Sequence, residues 1–149
     1  MARKPDLTQL RKIAKVRELQ RDAAEAEAAR ASAMAAERAE ELRKIALRRE
    51  SSMSHWHGLH ENGAMPLELI TLWSGDVRRE SGHLAEAEGR LEAATAAKEE
   101  CLGVFRTQEQ HRKVAKDMVD AAAQEQARLR DEAAIQTAAD RHLHGKAGS

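Results

Sequence analysis

Two long stretches without a helix breaker dominate this chain. From Leu7 to Met53 there is neither proline nor glycine, and from Leu67 to Leu143 there is no proline. The only two prolines, Pro5 and Pro66, stand just before these stretches. Uninterrupted runs of this length exceed an ordinary globular helix and point to a coiled coil. Composition agrees. Alanine fills about a fifth of the positions, far above ordinary usage. Leucine, isoleucine, valine and phenylalanine together make up roughly 16%, less than a globular core needs. Aromatic residues are 2% of the chain, with no tyrosine. A compact two-layer domain with a thick core is therefore not expected. Disorder is disfavoured too, because the 25 basic and 25 acidic residues cancel to a formal net charge of +0.

The same figures narrow the function. No run of about eighteen apolar residues is present, so no segment is expected to insert into a membrane. The N-terminal segment MARKPDLTQLRKIAK has basic residues but no apolar h-region, unlike a secretory signal. A neutral chain is a poor nucleic-acid binder, because phosphate charge drives that binding. The single cysteine, Cys101, has no partner for an internal disulfide and fits a reducing compartment.

The order of signals predicts an all-α fold, a long two-helix antiparallel coiled-coil hairpin with the second helix longer than the first. It occupies residues 1–149 as a single hairpin. Asp6 after Pro5 is a candidate N-cap for helix one, which is expected over about residues 6–57. Gly58, the Asn62-Gly63 pair and Pro66 place a reversal at about 58–66. Helix two follows over about 67–143, with a frayed tail at 144–149. A heptad seam runs through helix two at Ile70, Val77, Leu84, Leu91, Lys98, Phe105, Arg112 and Val119. Three residues on, it continues through Trp73, Glu80, Ala87, Ala94, Cys101, Gln108, Ala115, Ala122 and Leu129. Helix one carries a weaker seam of Leu7, Leu10, Ala14, Ala24, Ala28, Ala31, Ala35, Leu42, Ile45, Trp56 and Leu59. Arg17, Arg21, Arg38 and Arg49 interrupt it, and Ile13 with Val16 suggests a stutter.

Several residues invite chemical readings. His55, His57 and His60 cluster near the tip, and histidine-rich tracts can bind metal. Residues two apart face different directions on a helix, however, and no cysteine or carboxylate completes a tetrahedral set, so an exposed polar tip is preferred and no metal is expected. Trp56 and Trp73 lie on either side of the reversal. They either plug the hairpin's end or form a partner-binding patch. Gly75, Gly82, Gly89 and Gly103 share one stripe opposite the seam, which is either a groove for another helix or a tolerant face. No phosphate loop, metalloprotease motif or nucleophile elbow occurs, and Cys101 stands at neither three nor four residues from His83 or His111. Catalytic residues, cofactors and metals are accordingly expected to be none.

The C-terminal helix carries a family resemblance. Phe105-Arg106-Thr107-Gln108-Glu109 and the run from Gln124 to His142, with Asp131-Glu132-Ala133 and Arg141, resemble the closing segment of the FliJ family of flagellar export proteins. Their injectisome counterparts are the YscO-type stalk proteins. The resemblance covers nearly the whole chain. Family members often carry tyrosines before the tip, and here Trp56 stands in that region. The resemblance implies a monomeric, non-enzymatic central stalk at the cytoplasmic face of the membrane. Such a stalk joins a hexameric export ATPase to a membrane export gate protein and helps to handle export chaperones and their substrates. It implies a gate-binding surface on the tip-proximal half, where Leu42, Ile45, Arg49, Trp73, Val77 and Leu84 are the candidates. The terminal half is expected to meet the ATPase ring through Leu7, Leu10, Arg11, Ile13, Arg128, Leu129, Arg130, Ile135, Arg141 and Leu143. A generic homodimeric coiled-coil scaffold and a helical export chaperone or adaptor are the alternatives.

Overall fold

The computed structural model describes residues 3–63 and 65–147. Two helices, α1 (Leu7–Glu61) and α2 (Leu67–Ala147), pack against each other as a hairpin whose second helix is the longer. Asp6 caps α1 as expected. The Gln9 amide donates to Asp6 Oδ1 at 2.8 Å, and the Asp6 amide donates to Gln9 Oε1 at 3.1 Å. This reciprocal pair satisfies two groups at the helix start. At the reversal Gly63 takes φ 146°, a conformation that side chains disfavour. The Pro66 carbonyl accepts from the Ile70 amide at 3.1 Å and opens α2. Ala64, within the expected reversal, lies outside the described residues.

Both helices run further than the sequence suggests. Gly58 does not end α1, which continues to Glu61. A single glycine costs about 1 kcal/mol in a helix interior, less than is needed to break a long cooperative helix. The segment from His144 to Ala147, expected to fray, is the last turn of α2. Gly148 and Ser149 lie outside the described residues.

The hairpin comprises two compact units, Ala24–Val104 and the pair Met1–Ala23 with Phe105–Ser149. In Ala24–Val104 the buried residues are Ala24, Ala28, Ala35 and Ala87, the last only 1% exposed. Leu42, Ile45, Leu84 and Leu91 are half-buried beside them. Arg38 and Arg90 converge on Glu41 from opposite helices, at 3.0 and 3.2 Å. In the other unit Leu10 and Ala115 are buried, and Arg21 occupies the seam. The Arg21 guanidinium lies 5.4 Å from the centre of the Phe105 ring, and its Nε donates to Glu109 Oε2 at 2.9 Å.

The arginines therefore belong to the seam instead of interrupting it. All four, Arg17, Arg21, Arg38 and Arg49, are half-buried. The heads of Arg21 and Arg38 find the carboxylates of Glu109 and Glu41, and the Arg17 head donates to Gln20 Oε1 at 3.1 Å. The expected stutter is absent. Ile13 and Val16 are 47% and 52% exposed, whereas Leu7, Leu10, Ala14, Arg17 and Arg21 hold one unbroken heptad register. Leu59, assigned to the seam from sequence, is exposed as well. Outside the seams, ion pairs one turn apart line the surface. Glu40–Arg43 and Glu125–Arg128 each close at 2.6 Å, and such pairs add about 0.2–0.5 kcal/mol apiece.

Two measurements probe the Phe105–Ala122 stretch of the seam. Gln108 Oε1 is buried there without a hydrogen-bond partner among the described residues. An orphaned buried acceptor costs about 1–3 kcal/mol, so Gln108→Met should raise Tm by a few degrees, and an unchanged or lower Tm would show the amide satisfied. Beside it, hydrogen bonds from Arg112 and then Arg21 hold the Glu109 carboxyl down at about 2, against an ordinary 4.5. A depressed folded-state pKa stabilises the fold above the unfolded value, and that contribution fades as pH falls from about 4.5 towards 2. Glu109→Gln should therefore be less stable than the parent at neutral pH, with the difference closing on acidification. Parallel Tm curves at all pH values would rule this out.

Candidate interaction surfaces

Three apolar or mixed surfaces emerge from these helices. The first is a cleft at the tip, of about 520 Å³. It is lined by Met53, Trp56, His57, His60, Met65, Ile70 and Trp73. Its construction follows from helical spacing. Met53, His57 and His60 stand at i, i+4 and i+7 on one face of α1, and Met65 comes from the reversal. The hairpin thus brings both tryptophans to one cleft, Trp56 half-buried and Trp73 at its exposed rim. His57 Nε2 lies 3.2 Å from Glu61 Oε1, one turn on. His55 is not part of the cleft wall, and its ring meets Trp56 edge-on with centroids 6.1 Å apart. The histidine cluster therefore splits, with two members facing the cleft.

The second surface lies along the tip-proximal half, where the six gate-binding candidates divide between neighbouring grooves and the seam. Ile45 lines a groove with Arg48, Asp76, Arg79, Glu80 and His83. Arg49 and Leu84 line another, with Met53 and His57. Trp73 faces the tip cleft. Leu42 and Val77 are half-buried seam residues that line none of these grooves. Leu42, Ile45, Val77 and Leu84 double as packing residues, so the seam takes part of what the sequence offered as surface.

The third surface is the C-terminal part of α2. Every residue from Gln124 to Lys146 is exposed, including Leu129, Ile135 and Leu143, with Ile135 70% exposed. This segment carries the ring-binding candidates Arg128, Leu129, Arg130, Ile135, Arg141 and Leu143. Arg128 is already engaged by Glu125 and Glu132. Two of the N-terminal candidates are taken up in packing. Leu10 is buried and Leu7 half-buried. Arg11 shares a groove with Arg112, Lys116 and Val119. The Glu125 carboxyl is held below its ordinary value chiefly by its hydrogen bond from Arg128, with a smaller contribution from the positive charge of Lys4. Arg11 thus sits beside α2 residues that precede Arg128, and Ile13 is 47% exposed.

The glycine stripe has no structural requirement. A Cβ at Gly75, Gly82, Gly89 or Gly103 would meet nothing within 4 Å. Cys101 is half-buried in the seam. Among the described residues no three of histidine, cysteine, aspartate and glutamate converge as metal ligands, and no helix is long and apolar enough to cross a membrane.

The tip cleft was the feature least visible in sequence. The i, i+4, i+7 spacing of Met53, His57 and His60 was the available signal, but Met65 joins them only through the reversal. Compared with known protein families, curated proteins and solved structures, the chain matches none.

Proposed function

We propose that this protein is the central stalk of a flagellar type III export ATPase complex, linking a hexameric ATPase to a membrane export gate and aiding the handling of export chaperones. The observation that carries the reading is the run of α2 from Gln124 to Lys146, helical throughout and exposed throughout. A helix that continues beyond its packed partner presents backbone-satisfied, rigid surface to another protein. Leu129, Ile135 and Leu143 supply apolar contact on it, and Arg130 and Arg141 supply charge beside them. Such a mix suits a pore lined by loops of both characters. The packed remainder supports the same role. Its thin alanine seam and its surface ion pairs give stiffness without a large sticky face.

In this reading the ring contact resides in Arg128, Leu129, Arg130, Ile135, Arg141 and Leu143. The gate contact resides on the tip-proximal half, with Trp73 its most accessible aromatic anchor. The stalk acts as a monomer, peripheral to the membrane, and performs no catalysis of its own.

Truncation after Ala127 tests the assignment. It removes the exposed run and leaves the capped start of α1, the Arg21–Phe105–Glu109 cluster and the reversal intact. The truncated chain should keep its helical content per residue and its binding to the gate protein, and should lose stimulation of the ATPase. Full stimulation by the truncated chain would overturn the ring contact. Stable homodimers of the intact chain that bind no ATPase would favour a coiled-coil scaffold instead.

A further inference from the structure

The tip cleft collects the softest donor groups of the chain in one place. Its wall includes two imidazoles, His57 and His60, and two thioethers, Met53 and Met65. No carboxylate or thiolate lines it. Ligand softness sorts metals strongly. Oxygen donors suit magnesium and calcium, and zinc sites are built from thiolate, imidazole and carboxylate. Thioethers select Cu(I) and its congeners. A cleft offering imidazole and thioether together is thus matched to a soft monovalent ion and poorly matched to the harder divalent ones.

The local geometry fits that role. His57 and His60 are one turn apart on α1, the spacing at which two helical side chains converge. Met65 approaches from the reversal, outside both helices, and a methionine side chain has three rotatable bonds with which to reach inward. Met53 precedes His57 by four residues and lies beside it on the same face. His57 Nε2 faces Glu61 Oε1 at 3.2 Å, so Nδ1 is the ring nitrogen left open to a metal ion. A carboxylate behind an imidazole is the usual outer partner of a metal-bound histidine. Trp56 and Trp73 complete the wall, and an indole face attracts a desolvated cation.

We propose that the tip cleft is a binding site for Cu(I) or Ag(I), held by His57, His60 and Met65 with Met53 as a fourth donor. The site is independent of the stalk assignment. It rests on the donor set of the cleft and not on any partner of the protein. Its two indoles are also the only tryptophans in the chain, so occupancy is reported by their own emission.

Silver is the redox-inert probe. The full-length chain carrying Cys101→Ala, which removes the one competing thiol, is titrated with silver nitrate in chloride-free buffer while tryptophan emission is followed. Emission should fall and level off at one ion per chain. Met65→Leu keeps apolar bulk at a position outside both helices and removes only the sulfur. In the same background it should weaken binding about tenfold or more, the usual scale for losing a metal-site contact. His60→Ala should do the same, and circular dichroism of both variants should match the parent. Added zinc should not displace the silver. The absence of a saturable emission change would overturn the proposal. So would an unaltered titration with Met65→Leu, or displacement by zinc, which would identify the cleft as an apolar pocket or a plain two-histidine site.

Discussion

The burial of alanines, in place of larger side chains, between two helices sets the terms for everything else in this protein. Five of the six buried residues among those described are alanines. A methyl group buries little area and gives only about 0.8 kcal/mol when fully removed from water. No single layer can hold the pair together, so the interaction must be repeated over many turns. That need explains the breaker-free helices, the helix-favouring composition and the dense i, i+3 ion pairs. Each helix must be nearly self-sufficient before the seam adds its share.

So thin a seam does not by itself fix which turn faces which, because one alanine is much like the next. Polar residues supply that information. Arg21 meets Phe105 and Glu109, and Glu41 meets Arg90, each within its own unit. A slip of one heptad would strand these charges between the helices. Polar groups placed at seam positions are a known means of setting coiled-coil register at some cost in stability. Arg90 Nε and Gln108 Oε1, buried without hydrogen-bond partners among the described residues, are where that cost is visible.

The sequence made the hairpin legible because a seven-residue repeat survives any choice of side chain, and the α2 seam from Val77 to Ala122 is half-buried or buried as its spacing implied. Asp6 was legible as a cap for a similar reason, since capping chemistry is local. Hydrophobicity alone is a poor guide to burial in this chain. Ile13 and Val16 are large and apolar yet exposed, while Arg17 and Arg21 hold the seam. An arginine stem packs between helices as well as an aliphatic side chain when its head has a polar partner to reach. The candidate surfaces were legible only in part. Leu129, Ile135 and Leu143 lie exposed, but Leu10 is spent in packing. The tip cleft needed the reversal to bring Met65 and Trp73 to residues of α1, and no local pattern encodes that closure. Nothing in the structure explains the stripe of Gly75, Gly82, Gly89 and Gly103.

The alanine seam also shapes how the protein responds to its surroundings. Unfolding such a pair uncovers little apolar surface for each residue released. The heat-capacity change and the sensitivity to denaturant both scale with that surface, so both are small for a chain of this length. A small heat-capacity change flattens the dependence of stability on temperature. The two helices can therefore part over a few turns, and close again, at a cost that differs little between cold and warm conditions.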